Sequence, residues 1–233
     1  MTDKTLGGAS ALDQMVALVA GGTGNVGAAI VRGLLARGAT VVVPSRTETK
    51  RAALRDAQDA SARTRLITIA GNVGNEADAE RIRAEVVERC GRVDAVVASL
   101  GTFVPAPSLL AAPRAALEGA LADYLLAHFV VARTFIPPMV RDGGSYLFIN
   151  GPLAFAPMPG SGLVSIATAA QAMLADVVFR ETADSAARVN ELVLHVGLGW
   201  GSREETERNG RRVGSAVADI ILGQAKGERT SVT

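Results

Sequence analysis

The sequence predicts a doubly wound α/β fold, with one largely parallel sheet of about six or seven strands and helices on both faces. Short apolar segments alternate with longer amphipathic ones along the whole chain, which is typical of strand–helix–strand units. The junction between the first such strand and helix is rich in glycine. At 233 residues the chain is long enough for one well-buried α/β domain and short for two.

Composition narrows the function classes further. The net charge of +1 gives no electrostatic reason for binding nucleic acid or an acidic membrane. Cys90 is the only cysteine, so neither a disulfide framework nor a thiolate metal cluster is expected, and no other residues have metal-ligand spacing. The sequence suggests no signal peptide and no apolar run long enough to span a membrane. We therefore expect a cytoplasmic protein, with a polar lead-in over residues 1–14 and one Rossmann-type domain over residues 15–233.

The first strand, residues 16–20, leads into three glycines spaced three residues apart, and a helix with apolar periodicity follows as far as Gly38. A strand, a glycine turn and a helix N-terminus in this order direct free backbone N–H groups and the helix dipole at one point. That point is where the pyrophosphate of a dinucleotide binds. The predicted binding residues of this turn are Gly21, Thr23, Gly24, Asn25, Val26 and Gly27.

Later elements are predicted from the same periodicities. The predicted strands cover residues 39–43, 65–70, 93–98, 146–150 and 188–196, with a short closing strand at 230–233. The predicted helices cover residues 47–60, 75–89, 113–139, 163–182 and 213–224. Trp200 lies among glycines in the polar segment of about fifteen residues before the last helix, either as part of a lid or as a plug on the core.

Two helical segments, residues 121–136 and 167–179, are apolar or small nearly all round. Such segments can be deeply buried, but a three-layer fold leaves one face of each helix uncovered. Wide apolar faces are usually covered by a partner. We therefore expect a homodimer or tetramer that associates through these two segments.

Over nearly its whole length the chain resembles the short-chain dehydrogenases/reductases. The glycine pattern is GxxGxxG, close to atypical branches of that family. The Asp-Val pair that the family places near the adenine corresponds to Asn72 and Val73. The family's NNAG segment corresponds to residues 98–101, where only the glycine, Gly101, is kept. The resemblance implies that Ser99 and Gly101 contact the cofactor. The resemblance implies a Rossmann-type fold, a nicotinamide cofactor and oxidoreductase activity.

The resemblance also bears on which cofactor is bound. NAD-preferring members carry an acidic residue at the end of the second strand, where this chain has Ser45 and Arg46. A hydroxyl and a guanidinium suit the 2′-phosphate of NADP. The alternative is that Arg46 is an ordinary solvated arginine. We predict NADP in preference to NAD.

The same comparison assigns the positions at which the family carries its catalytic Asn, Ser, Tyr and Lys. The alanine-rich segment 169–174 and the Arg-Glu ending at 180–181 set the register. The four positions are then occupied by Tyr124, Gly151, Val164 and Thr168. A phenol needs a nearby cation before it can act as an acid or base at neutral pH. The family's Tyr–Lys mechanism is therefore not expected here, and the catalytic residues are not predicted.

Three polar residues are weak catalytic candidates. Tyr124 and His128 lie one helical turn apart, which would let His128 orient the phenol or donate a proton itself. The alternative is that both residues belong to the helix interface. His195 follows the sixth strand, where α/β proteins bind ligands, or else it is a structural histidine. No serine has an evident base partner.

Three functions fit these observations. The first is an atypical NADPH-dependent reductase that acts on an activated carbonyl by a mechanism without Tyr and Lys. The second is a non-catalytic nucleotide-binding partner or sensor, and the third is a cyclase or isomerase that reuses the pocket. The first is preferred because members of the family are far more often oxidoreductases. The sequence does not identify the small-molecule substrate.

Overall fold

A computed structural model describes residues 12–106, 108–199 and 201–233. Within these ranges seven strands form one parallel sheet in the order β3-β2-β1-β4-β5-β6-β7. The strand order reverses between β1 and β4, which opens a crevice at the carboxyl ends of these two strands. The strands are β1 (Val16–Ala20), β2 (Thr40–Ser45), β3 (Leu66–Ala70), β4 (Ala95–Ala98), β5 (Gly144–Asn150), β6 (Ala187–Leu194) and β7 (Arg229–Val232).

Helices cover both faces of the sheet, so the predicted fold class is confirmed. Helices α1 and α8 pack over one face, while α4, α6 and α7 pack over the other. The helices are α1 (Asn25–Ala36), α2 (Glu48–Asp56), α3 (Ala60–Thr64), α4 (Glu76–Cys90), α5 (Arg114–Leu121), α6 (Ala127–Asp142), α7 (Gly162–Glu181) and α8 (Arg203–Leu222).

Two predicted helices were wrong in extent. The segment predicted as one helix over 47–60 is divided into α2 and α3, because the Asp59 side chain accepts a hydrogen bond from the Ala62 N–H and starts a new helix. The last helix begins at Arg203, ten residues before the predicted start, with Ser202 as its N-cap. Gly210 was taken as part of a loop, but it is buried inside α8. The segment between β6 and α8 is therefore shorter than the predicted fifteen residues.

A π-helical turn, Ala122–Leu126, joins α5 to α6 in one continuous helical path. Gly119 lies inside α5, so this glycine does not interrupt the path. Single π-helical turns often occur at functional sites. Tyr124 lies at the centre of this turn.

The path α5–α6 and helix α7 are long and apolar enough to span a membrane by length and composition, although the sequence was expected to contain no such run. Half of the most apolar window of α7 is buried inside the fold, and 22% of that of α5–α6. Val131 and Phe135 of α6 pack on the sheet, as does Ala175 of α7. The apolar composition of these helices is therefore explained in part by their packing in the core.

The first described residue, Leu12, is 1% exposed, and its N–H donates to the Arg37 carbonyl. The packed chain therefore includes residues that we assigned to the lead-in. Residues 1–11 and the predicted lid residue Trp200 lie outside the described residues.

Candidate functional site

The largest cavities at the carboxyl edge of the sheet form one continuous cleft. An inner cavity of about 650 Å³ lies at the ends of β1, β4, β5 and β6. An outer cavity of about 340 Å³ lies at the ends of β2 and β3. Both are lined by Gly21, Thr23, Lys50 and Gly101, so the glycine turn stands where the two cavities meet.

The glycine turn depends on the absence of side chains at two positions. Gly21 has a φ of +78°, and a Cβ there would lie 1.9 Å from the Ser99 carbonyl oxygen. A Cβ at Gly27 would lie 2.1 Å from the Gly21 carbonyl oxygen. Gly24 is different, because its Cβ would meet nothing closer than 3.4 Å. Gly21 and Gly27 are therefore required by the backbone packing of the turn itself.

Helix α1 starts directly at this turn. The Gly24 N–H donates to the Gly21 carbonyl at 2.9 Å, and no side chain caps the helix. The first intrahelical bond runs from Ala28 to Gly24, so the N–H groups at residues 25–27 have no carbonyl partner within the helix. These residues line the inner cavity. Free N–H groups and the helix dipole suit a phosphate group there.

The outer cavity has a basic edge. Arg46 follows β2, and Lys50 lies one turn further along at the start of α2. Both side chains are exposed, and neither has a hydrogen-bond or ion-pair partner among the residues that the structure describes. The Ser45 hydroxyl lies 3.4 Å from that of Thr23, which connects this edge to the glycine turn. Lys50 was missed at the sequence level, although its i+4 spacing from Arg46 was a usable signal.

On the other side of the outer cavity, Asn72 is held in place by two bonds. Its N–H donates to Asp78 Oδ2 at 2.8 Å, and its Oδ1 accepts from the Gly74 N–H at 3.2 Å. The bond from the Asn72 N–H, together with Arg81, holds the pKa of Asp78 below its ordinary value. Asn72 lines the outer cavity, and its carboxamide NH₂ is a hydrogen-bond donor.

All the residues predicted to bind the cofactor line the cleft. Ser99 and the glycine-turn residues line the inner cavity, while Gly21, Thr23 and Gly101 line both parts. The outer part is lined by Ser45, Arg46, Asn72 and Val73. Their placement is that of one extended binding site.

The inner end of the cleft contains polar residues that the sequence did not single out. Asn150, the last residue of β5, donates from Nδ2 to Glu191 Oε1 at 2.9 Å and to the Thr168 carbonyl at 3.2 Å. Glu191 is fully buried and also accepts from Arg229. Gln171 of α7 donates from Nε2 to the Ile149 carbonyl at 2.9 Å. This network supports the floor of the cleft from behind.

The positions that the resemblance assigns to the family's Ser, Tyr and Lys offer no proton donor to the cleft. Gly151 lines the cavity but has no side chain. Val164 is apolar and 3% exposed. The Thr168 hydroxyl is also 3% exposed and donates to the Val164 carbonyl at 2.8 Å. No phenol–ammonium pair is therefore formed at these positions.

Tyr124 lines the inner cavity with its ring against Gly101, where a Cβ would lie 2.2 Å from the ring. Gly101 has a φ of +110°, so glycine is needed both for the backbone and for the tyrosine. Burial and the neighbouring Asp123 raise the pKa of Tyr124 to about 12. The phenol is therefore a hydrogen-bond donor at neutral pH and a poor acid.

The proposed partnership between Tyr124 and His128 was wrong. His128 is fully buried, and its Nδ1 lies 2.6 Å from the Tyr124 carbonyl oxygen, away from the phenol. Its Nε2 lies 3.3 Å from the Ala98 carbonyl oxygen. Burial lowers the pKa of His128 to about 4, so the imidazole is neutral. This histidine joins the π-helical turn to β4 and is neither a proton donor nor part of an exposed helix interface.

His195, for which a ligand role and a structural role were both open, is not among the residues that line the cleft. Its N–H donates to the Val232 carbonyl at 2.8 Å, which extends the pairing of β6 with β7. The side chain is exposed, and its neighbours Leu194 and Val196 line the cavity instead. Side chains alternate along an extended segment, so His195 points away from the cleft.

Among the described residues, no group of three or more His, Cys, Asp or Glu side chains could hold a metal ion.

A parallel sheet with a glycine turn at the reversal of strand order defines a protein of the Rossmann type. Within that class the chain belongs to the short-chain dehydrogenase family, whose model, described as "short chain dehydrogenase", matches residues 15–196.

Individual relatives agree with this assignment. The chain is 30% identical over 183 residues to dehydrogenase/reductase SDR family member 4 of Bos taurus, a match that covers 77% of this chain and 64% of that protein. A short-chain dehydrogenase structure from Mycobacterium smegmatis has a TM-score of 0.83 at 19% identity, covering 100% and 97% of the two chains. The structure of ElxO with NADP bound has a TM-score of 0.81 at 15% identity, covering 94% and 96%. The two structural similarities show the shared fold.

Proposed function

We propose that this chain binds NADP(H) and works as an oxidoreductase that reduces an activated carbonyl without the family's Tyr–Lys pair. The observation that carries the proposal is the basic edge of the outer cavity, formed by Arg46 and Lys50. A 2′-phosphate is the group of NADP that NAD lacks, and it binds best to cations that are not already paired. The NADP-bound structure of ElxO adds support by likeness of fold.

The residues of the cleft fit such a cofactor along its whole length. Gly21 and Gly27 let the turn pack closely on its own backbone and on Ser99, and the first turn of α1 supplies N–H donors for a pyrophosphate. Asn72 and Val73 line the outer cavity, which would take the adenine. When bound, the nicotinamide supplies the hydride. The protein's own residues bind and orient it.

None of the described residues that line the inner cavity is a carboxylic acid or a histidine, and this limits the substrates. Losing a general acid typically costs about 10²- to 10⁴-fold in rate. Tyr124 is the cleft phenol, and with a pKa of about 12 it polarises a carbonyl by hydrogen bonding better than it transfers a proton. An activated carbonyl, such as a quinone or a dione, needs only that assistance, and solvent can supply the proton.

The same observation favours one alternative. With Gly151, Val164 and a self-bonded Thr168 at the positions of the family's catalytic residues, the cleft also suits a nucleotide sensor that binds NADPH and does not turn over. Turnover of activated carbonyls separates the two functions. Steady oxidation of NADPH with such a substrate supports the reductase, and tight binding without oxidation supports the sensor.

The experiment that tests the cofactor proposal compares the wild type with Arg46→Ala. Loss of a charge-assisted phosphate contact should weaken NADPH binding about 10- to 100-fold and leave NADH binding within about threefold. Arg141→Ala is the matched control, because Arg141 is an exposed arginine at the end of α6. Equal NADPH affinity for Arg46→Ala and the wild type would contradict the proposal.

We also propose that the protein works in a reducing compartment such as the cytoplasm, where Cys90 stays a thiol.

We further propose that the chain forms a homodimer or tetramer through helices α6 and α7. A groove of about 470 Å³ runs between these helices, with Phe129 and Val177 exposed by 45% and 44% along it. Val177→Lys should shift sedimentation toward the monomer, whereas Val87→Lys, at an equally exposed valine of α4, should not. A monomeric wild type would contradict this assembly.

A further inference from the structure

Gln171 contains a buried hydrogen-bond acceptor that the protein itself leaves without a partner. The residue is 1% exposed and lines the inner cavity from helix α7. Its Nε2 donates to the Ile149 carbonyl at 2.9 Å, which fixes the orientation of the amide. Its Oε1 has no hydrogen-bond partner among the described residues. Buried acceptors of this kind are rare in native proteins and call for a specific explanation.

The neighbouring polar groups do not share this property. Asn150 uses Nδ2 for Glu191 and the Thr168 carbonyl, and its Oδ1 accepts from the Gly151 N–H at 2.8 Å. The Thr168 hydroxyl donates back to its own helix. Asn150 and Thr168 therefore have partners for these groups, whereas the buried Gln171 Oε1 has none among the described residues, and that atom accepts hydrogen bonds only.

We propose that Gln171 Oε1 accepts a hydrogen bond from the nicotinamide nucleotide half of the bound cofactor, and so holds that half at the floor of the cleft. The inference rests on the proposed NADP(H) function. With the 2′-phosphate at Arg46 and the pyrophosphate at the glycine turn, the remaining nucleotide extends toward the ends of β5 and β6. That nucleotide carries ribose hydroxyls and carboxamide N–H groups, which are the donors that Gln171 requires.

Gln171 is thus a binding and positioning residue for the half of the cofactor that carries the reactive ring. A ligand donor that satisfies a buried acceptor gains more than one that exchanges bonds with water. The proposal explains how the nicotinamide end can be held when Thr168, at the family's lysine position, directs its hydroxyl into the helix.

The test measures affinity by fluorescence titration and calorimetry in wild type, Gln171→Met and Thr168→Val. Gln171→Met keeps the length of the side chain and removes the acceptor. We expect its Kd for NADPH to rise about tenfold. Its Kd for adenosine 2′,5′-bisphosphate, which lacks the nicotinamide nucleotide, should stay unchanged. Thr168→Val, a buried change on the same helix, should alter neither affinity.

The outcomes separate this inference from the proposed function. If the wild type binds NADPH and Gln171→Met binds it equally well, the inference is wrong and a water molecule or nothing satisfies Oε1. Equal weakening of both ligands would also overturn it, because the effect would then be a general disturbance of the cleft. A wild type that binds neither ligand would instead remove the proposed function.

A second measurement covers the case in which Gln171→Met does not fold. In wild-type protein with ¹³C-labelled glutamine, a hydrogen bond to Oε1 polarises the amide carbonyl. The Gln171 Cδ resonance should move downfield with NADPH and stay in place with adenosine 2′,5′-bisphosphate. The absence of a shift with NADPH would overturn the inference.

Discussion

Replacing Gly27 by alanine tests the glycine turn most sharply, because the added atom meets backbone and no flexible side chain. The new Cβ would lie 2.1 Å from the Gly21 carbonyl oxygen, whereas ordinary contacts begin at 3.4 Å. The start of α1 must therefore move away from the turn by roughly 1 Å. Overpacking of this kind costs about 1–3 kcal/mol of unfolding free energy. For a chain of this length the loss lowers Tm by about 2–12 °C.

The displacement should also weaken phosphate binding. The N–H groups of the first turn of α1 would no longer converge on one point, so we expect the Kd for NADPH to rise at least about tenfold. The assays are thermal unfolding by circular dichroism and NADPH titration by fluorescence.

Two other glycines provide controls for this prediction. Gly24→Ala places its Cβ 3.4 Å from the same oxygen and should cost less than about 1 kcal/mol. Gly119→Ala points into open space within α5 and should stabilise the protein by about 0.5–1 kcal/mol. If Gly27→Ala melts with the wild type and binds NADPH equally well, the account of the turn is refuted.

Three further predictions concern buried and cleft side chains. The pKa of His128 is about 4 in the fold and 6.5 ordinarily, so on acidification the unfolded chain takes up the proton first. Between pH 7 and pH 5 this difference should lower the free energy of unfolding by about 2 kcal/mol. Denaturant unfolding at both pH values should therefore show a weaker pH dependence in His128→Gln than in the wild type. Tyr124→Phe should bind NADPH within about twofold of the wild type by titration. The variant keeps the ring that packs on Gly101, and no charge is lost because the phenol is neutral in the wild type. Glu191→Ala should cost about 3 kcal/mol in denaturant unfolding, since it leaves Arg229 without its buried partner, whereas Asp176→Asn, at the exposed partner of the same arginine, should cost less than about 1 kcal/mol.

The fold could be predicted from the sequence because its strands are continuous apolar runs that need helices on both faces. Residues 16–20 were predicted as a strand and form β1 with the same bounds. The start of α8 was missed because its first turns are polar and contain Gly210. Further along the same helix, Gly214 is explained only by a distant contact, the close crossing of α8 with α1, where its Cβ would lie 2.9 Å from Gly33 Cα. Sequence periodicity carries no information on such a crossing.

In the candidate site, local backbone motifs were predicted better than side-chain directions. The glycine turn is a local pattern, so its residues could be named in advance. Gln171 and Lys50 face the cleft because of the rotation of α7 and α2 about their axes, which depends on packing against the sheet. A ligand role was considered for His195 from its position at the end of a strand, without regard to the face of the sheet toward which its side chain points. The alternation of Leu194, His195 and Val196 would have indicated the correct direction.

The central claim is that this cleft binds NADPH although the family's catalytic residues are replaced. The most direct measurement is a pair of fluorescence titrations of the wild-type protein, one with NADPH and one with NADH. The account predicts saturable NADPH binding with a Kd in the micromolar range, at least about tenfold tighter than NADH, which corresponds to one phosphate contact. No saturation by NADPH up to millimolar concentration, or equal affinity for the two cofactors, would contradict it.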